Sequence, residues 1–514
     1  MLSNTVSRTS ALPQLGRFAA VAATKSYGTQ HKVPKLKNKN LLIGGKWVNA
    51  ESGRTFETIN PTTEEVLAEI HEAGEADVEK AVAAARHAFD EGPWAKATGY
   101  ERAKLMHKLA DLIEANADEL ATLEALDNGK PFAVAKAVDV AMTVQCFRYY
   151  AGWADKITGK TIPIASNNYF SYTRQEPVGV CAQIIPWNFP LLMAAWKLAP
   201  CLATGCVTIL KPAEQTPLSA LRLGELAHEA GYPAGVVNVL SGQGDTGAML
   251  AKHHKVDKVA FTGSTEVGHK ILRAAADTNL KRVTLELGGK SPNIIFADAD
   301  LEAAIQGAHF GLFFNHGQVC TAGSRVFVQD KIYDEFLEKS IQLAKKRKVG
   351  DPMKPETEQG PQVSKEQFDR VMHYINLGKK EGAKLAIGGD KAANKGYFIQ
   401  PTVFADCKDD MTIAKEEIFG PVMSVMKFSD VNDVIKRANN TIYGLAAGLW
   451  TRDVAKAHTV ASQLRAGTVW VNCYNVYDSA KPFGGFKESG QGRELGQEGL
   501  SNYTEIKTVT VSLS

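Results

Sequence analysis

The chain has 514 residues, 44% of them hydrophobic and 22% charged, and a formal charge of +3 at neutral pH. That length exceeds what one hydrophobic core organises, so two or three domains are expected. Its apolar runs, such as VGVCAQIIPW, fall short of the roughly 18 residues that a membrane span needs.

The first 50 residues hold no Asp or Glu but carry Arg8, Arg17, Lys25, Lys32, Lys35, Lys37, Lys39 and Lys46. An Arg- and Ser-bearing, acid-free, weakly amphipathic start reads as a mitochondrial transit peptide over residues 1–30, against the alternative of a basic arm. Without it the chain is nearly neutral and no nucleic-acid footprint remains. LLIGGKWV and TFETINP then read as short strands, followed by two helices. The second helix opens at Thr98 with Glu101 three residues on, a capping box, and stops near Asn128-Gly129. GKTIPIASNNYFSYTRQEP (159–177) alternates like a strand, as does the C-terminal YTEIKTVTVSLS. Strands without an obvious local partner suggest pairing with another subunit or domain.

Between about residues 178 and 300, short β-rich runs alternate with helical ones, which indicates βαβ units and a parallel sheet. A second such half runs from about 301 to 488, with helices near 301–314, 331–347 and 364–381. In parallel sheets ligands bind beyond the carboxyl ends of the strands. VGVCAQII ends in PWNFP, delivering Asn188; CVTIL ends in KPAE, delivering Lys211 and Glu214. KVAFTG runs into GSTEVG, and VTLEL carries Glu286 up to Gly288-Gly289.

Each feature has a plain alternative. GSTEVG is a phosphate-binding helix start or merely a tight turn, since its spacing is not G-x-G-x-x-G. Glu214 at a neighbouring strand end could accept ribose hydroxyls. Glu286 is a solvated carboxylate or a buried base of raised pKa. Asn188 is a turn residue or an oxyanion donor. The seven cysteines, at 146, 181, 201, 206, 320, 407 and 473, have irregular spacing and no C-x-x-C, so neither a disulfide framework nor a zinc site is indicated. Cys320, in FFNHGQVCTAGSR, is a buried hydrophobe or a nucleophile presented on a loop. Thiol attack on an aldehyde, an oxyanion held by Asn188 and the Cys320 N–H, hydride loss to a nicotinamide and water activated by Glu286 would give every group a task. A cysteine hydrolase using His316 as base leaves Glu214 and GSTEVG without a role.

PWNFP, LKPAEQTPLSAL, VAFTGSTEVG, LELGGKSPNIIFADAD, GQVCTAGSR, EEIFGPV and PFGGFKESGQGRELG together resemble the NAD(P)-dependent aldehyde dehydrogenase superfamily, in family order from about residue 40 to the C-terminus. The resemblance implies an α/β fold of two doubly wound parallel-sheet domains plus a small β oligomerisation flap. Its boundaries would be 31–158 and 178–288 for the NAD-binding domain, 289–488 for the catalytic domain, and 159–177 with 489–514 for the flap. It implies Cys320 as nucleophile, Glu286 as general base and Asn188 as oxyanion donor. Ile184, Trp187, Lys211, Glu214, Gly244, Gly263, Ser264, Glu417 and Phe419 would hold the cofactor, NAD with NADP as an alternative. Phe189, Trp196, Val319, Thr321, Tyr477 and Phe483 would line the substrate pocket, with no obvious Arg for a carboxylate-bearing aldehyde and no metal. Glu286 implies hydrolysis to a free acid rather than transfer to coenzyme A, and small aliphatic aldehydes such as acetaldehyde fit best. The nearest subclass resembles mitochondrial, fungal-type enzymes of the matrix, which are often potassium-stimulated and assemble as homotetramers.

Overall fold

The computed structural model describes residue 34 and residues 38–513; the expected transit peptide lies outside the described residues. An eight-stranded sheet has the order Gly490–Gln491, Arg282–Glu286, Lys258–Thr262, Val180–Ile184, Val207–Lys211, Val237–Val239, Leu41–Ile43, Lys46–Val48. Its five middle strands are parallel, and the flanking pairs are antiparallel. Strands Val180–Ile184, Val207–Lys211 and Lys258–Thr262 are buried at every residue, because helices cover both faces. From Val180–Ile184 the chain winds outward through Val207–Lys211 and Val237–Val239. It then returns to add Lys258–Thr262 on the other side. The strand order therefore reverses between Val180–Ile184 and Lys258–Thr262, opening a crevice at their carboxyl ends.

A seven-stranded sheet follows, ordered Lys384–Ile387, Thr402–Ala405, Val422–Phe428, Arg325–Gln329, Pro292–Ile295, Ala446–Trp450, Thr468–Val471, parallel except for its first pair. The last parallel strand of the first sheet, Arg282–Glu286, runs through Leu287–Ser291 straight into Pro292–Ile295. Carboxyl ends in one sheet thus meet amino ends in the other.

Three local readings change. LLIGGKWV is two strands joined at Gly44-Gly45, both with positive φ (58° and 77°), not one. The helix opening at Thr98 has its capping box: Glu101 N–H donates to Thr98 Oγ1 (3.3 Å), and Thr98 N–H donates to the Glu101 carboxylate (2.8 Å). That helix ends at Ala115, however, and a separate one spans Ala117–Asp127. Asn116 Nδ2 donates to the Leu112 carbonyl (2.7 Å) and its Oδ1 accepts from Arg222 (3.2 Å), so the side chain closes the first helix itself. The two alternating segments placed together in the flap pair with each other, Thr504–Ser512 running antiparallel to Tyr169–Pro177 over nine residues, with Thr161–Ile162 beyond. Gly490–Gln491, assigned from the sequence to the flap, instead edges the first sheet beside Glu286.

Candidate active site

A cavity of about 600 Å³ opens at the crevice where the two sheets meet. Asn188 and Trp187 reach its wall from the end of Val180–Ile184, Gly263 and Ser264 from the end of Lys258–Thr262, and Glu286 from the end of Arg282–Glu286. Cys320 comes from the second half, on the loop between helix Leu301–Phe313 and strand Arg325–Gln329.

Gly288 and Gly289 permit this meeting. A Cβ at Gly289 would overlap the Cys320 carbonyl oxygen, and one at Gly288 would overlap the Glu417 carboxylate. Gly289 N–H donates to Glu417 Oε1 at 2.9 Å. Two residues that interrupt the strand pattern thereby bring Glu286, Glu417 and Cys320 within one site.

Glu286 is buried, and neither carboxylate oxygen has a hydrogen-bond partner among the described residues. Burial first, and then the Glu494 charge, push its pKa up to about 8. It stands close enough to Cys320 that each shifts the other's titration. Burial, the Glu286 carboxylate and the Glu417 carboxylate push the Cys320 thiol well up from its ordinary range. The charges nearest the sulfur are negative, so the site opposes ionisation of the thiol rather than favouring it. Thiol and carboxyl sit side by side on the cavity wall, where ionising one opposes ionising the other.

Asn188 is buried, and its Nδ2 donates to the Gln318 carbonyl at 3.0 Å, tying the amide to the Cys320 loop. Asn315 Nδ2 reaches the Asn188 carbonyl (3.0 Å) and the Gln318 carbonyl (3.2 Å). Both Asn315 (φ 47°) and His316 (φ 61°) adopt left-handed backbone, which kinks the chain out of the preceding helix. His316, the base of the hydrolase alternative, is absent from the cavity wall. Its Nε2 accepts from Gly360 N–H at 3.0 Å, and burial lowers its pKa to about 3.

Of the residues assigned to a cofactor, Trp187, Glu214, Gly263, Ser264, Glu417 and Phe419 line the cavity. Trp187 and Phe419 meet edge to face at 5.2 Å between ring centroids. Ile184, Lys211 and Gly244 do not reach the wall. Ile184 turns toward the helix Gly244–Lys252, which Gly244 opens. Lys211 is buried behind Glu214, its Nζ 3.3 Å from Glu214 Oε2, and burial lowers its pKa. Among the pocket residues, Phe189, Trp196, Val319, Tyr477 and Phe483 line the cavity, and Trp196, Tyr477 and Phe483 form a triangle with centroids 5.3–6.2 Å apart. Thr321 does not. It is buried behind the cage, where its hydroxyl holds Tyr477 Oη (2.5 Å) and Asn475 Oδ1 (3.2 Å).

Sequence reasoning missed several groups. Lys197, fully buried on helix Pro190–Thr204, pairs with Glu494 and donates to Thr262 Oγ1 at 2.6 Å, supplying the charges that act on Glu286. A lysine inside an otherwise apolar helix was the available signal. Val138 and Met142, one helical turn apart, and Leu192 and Met193 complete the apolar wall. Arg370 also reaches the cavity wall, outside the aromatic pocket for which the sequence offered no arginine. Its guanidinium donates to the Glu417 carbonyl (3.3 Å) and lies over the Tyr374 ring, so it is engaged apart from the aromatic triangle.

The arrangement joins a sulfur nucleophile, a carboxylate beside it and an amide donor bonded to its loop, which suits attack on an electrophilic carbonyl. Residues 47–509 match the model of the aldehyde dehydrogenase family. Human mitochondrial aldehyde dehydrogenase is 58% identical over 504 residues, covering 98% of this chain and 97% of that one. Human retinal dehydrogenase 2 is 56% identical over 481 residues, 93% of each chain. The NAD+ complex of a Bacillus cereus aldehyde dehydrogenase superposes with a TM-score of 0.92 at 55% identity, covering 98% of this chain and 99% of that one.

Proposed function

The chain belongs to the aldehyde dehydrogenase family, and we propose that it oxidises small aliphatic aldehydes to free acids with NAD through a cysteine thioester. The observation that carries this reading is the buried, unpartnered Glu286 carboxylate beside the Cys320 thiol on one cavity wall. Cys320 gives its proton to Glu286 as the sulfur bonds to the aldehyde carbon. The Asn188 amide and the Cys320 N–H, which donates to no backbone carbonyl, then face the new oxyanion. Nicotinamide dinucleotide, when bound, supplies the acceptor for the hydride whose loss leaves a thioester. Glu286 releases that proton to solvent and, ionised again, takes one from water, which attacks the thioester carbon; the acid leaves and Glu286 returns the proton to the departing Cys320 sulfur.

The donor set fits such a cofactor. Helix Thr265–Ala276 starts at the cavity wall. Ser264 caps it by accepting from Val267 N–H (3.3 Å), and the N–H groups of Thr265 and Glu266 remain for an anion. Glu214 is a half-exposed carboxylate at the next strand end, suited to a ribose diol. NAD in the Bacillus cereus relative supports the choice. The 2′-phosphate of NADP would meet the Glu214 charge, with Lys211 as its one nearby counter-charge. NADP use is therefore expected to be measurable but weaker. In Glu214→Gln the ratio of kcat/KM for NADP over NAD should rise about tenfold, about 1.4 kcal/mol; an unchanged ratio removes Glu214 from ribose recognition.

Similarity alone does not select the aldehyde, since relatives of both names are equally near. The triangle of Trp196, Tyr477 and Phe483, with Phe189 stacked on Phe314 at 6.0 Å, supports a small apolar substrate. The test is reduced-nicotinamide absorbance with acetaldehyde and NAD, without coenzyme A, and with identification of the acid. A kcat/KM higher for retinal-sized aldehydes, or a requirement for coenzyme A, would sink this assignment.

We read residues 31–158 and 178–288 as the cofactor domain and 289–488 as the catalytic domain. The three-stranded sheet exposes Tyr169, Phe170, Ile506 and Val511, which supports its use in pairing subunits, as a homotetramer. Mitochondrial import to the matrix rests on the leader and on the mitochondrial relatives, and potassium stimulation on the subclass alone. Light scattering of the purified chain checks the assembly; a monomer would overturn it.

A further inference from the structure

Three cysteines from one β-α-β unit converge away from the cavity. The Sγ atoms of Cys181, Cys201 and Cys206 all lie within 4.8 Å of one another, and all three residues are fully buried. Cys181 is the second residue of strand Val180–Ile184, Cys201 lies in the last turn of helix Pro190–Thr204, and Cys206 precedes strand Val207–Lys211. The cluster therefore sits at the amino end of the β-α-β unit whose other end carries Asn188. We propose that these three thiols form a structural site for a thiophilic d10 divalent cation, of which zinc is the type.

Spacing, charge and surroundings support the assignment. Thiolates around tetrahedral zinc bond at about 2.3 Å and stand roughly 3.8 Å apart, so closing each Sγ–Sγ separation by at most about 1 Å completes the set of three. Loading replaces three S–H bonds by three Zn–S bonds and releases three protons, leaving one net negative charge. Lys258 answers it. This lysine is fully buried, is the cross-strand partner of Cys181, and has no carboxylate at ion-pair distance among the described residues. Its Nζ donates to Thr284 Oγ1 (2.8 Å) and lies 5.1 Å from the Tyr503 ring. A buried amine without a counter-charge is costly, and an anionic metal–thiolate centre beside it removes that cost. The Tyr503 carbonyl accepts from Cys206 Sγ at 3.3 Å and offers an oxygen for the fourth position, with water as the other source. Tyr503 leads directly into Thr504–Ser512, so an ion here would fasten the small sheet to the first large one.

The test uses the full reduced chain carrying Cys320→Ala, which removes the reactive thiol as a competing ligand. Refolded or expressed with Zn2+ and dialysed against a chelator, it should retain one zinc per chain. X-ray absorption should give a shell of three sulfurs at about 2.3 Å. Adding Cys201→Ala or Cys206→Ala should eliminate the retained zinc, and removing zinc from the parent should lower its Tm. A shell of nitrogen and oxygen, zinc retention unaffected by either substitution, or no retained zinc in the folded parent would each overturn the proposal. The last outcome leaves the aldehyde chemistry of Cys320 untouched, because the cluster lies at the opposite end of the strands.

Discussion

Cys320→Ala is expected to eliminate aldehyde oxidation, with kcat falling on the order of 10⁶-fold, as when a covalent nucleophile is removed elsewhere. The reason is local. Cys320 is the sole cysteine on the cavity wall, and the other six are buried or lie off it, so no other thiol can replace it. The change removes one sulfur from a loop held by Asn188 and Asn315, both of which bind its backbone and not its side chain. The fold and the cofactor wall should therefore persist. Quenching of Trp187 fluorescence by NAD is the check: binding should be unchanged while turnover is gone. Turnover near the wild-type rate would move the nucleophile to another residue.

Glu286→Gln should slow thioester hydrolysis by about 10²–10⁴-fold, more than it slows the first turnover, because the hydrolysis step depends on the carboxylate to take a proton from water. The expected trace is a burst of about one reduced cofactor per active site followed by a slow phase. The pH dependence has a definite sign. Glu286 titrates at about 8, and only its ionised form accepts a proton. Hydrolysis-limited turnover should thus climb as pH passes upward through about 8 and level off above it, while Glu286→Gln should lack that climb. Removing the carboxylate also removes one of the causes that push the Cys320 thiol up. Alkylation of Cys320 at neutral pH should therefore be faster in the variant. A variant with wild-type steady-state turnover would place the base elsewhere.

What was legible in the sequence was whatever depends on neighbours along the chain. The alternation of β-rich and helical runs, the Thr98–Glu101 cap and the strand ends at Asn188, Glu214, Gly263 and Glu286 all follow from local hydrogen bonding and from the period of burial. The blocks around Cys320 and Glu286 carried the family, because their order leaves little room for coincidence. Asn116 escaped notice because its local bond back to Leu112 is fixed in place by Arg222, 106 residues away. Only the tertiary structure decided what the site does electrically. Local sequence says nothing of desolvation, and it is desolvation, with Glu494 set against Glu286, that lifts the carboxyl to about 8 and makes the Cys320 thiol a weaker acid. Folding likewise put Thr321 and Lys211 behind the wall, set Arg370 on it, and gathered Cys181, Cys201 and Cys206 without any spaced motif. Those thiols meet because a parallel β-α-β unit returns the chain to the edge it started from, so residues 20 and 5 apart become neighbours in space. Side-chain identity is written in the sequence; the field in which each side chain titrates, and the partners it meets, belong to the packed fold.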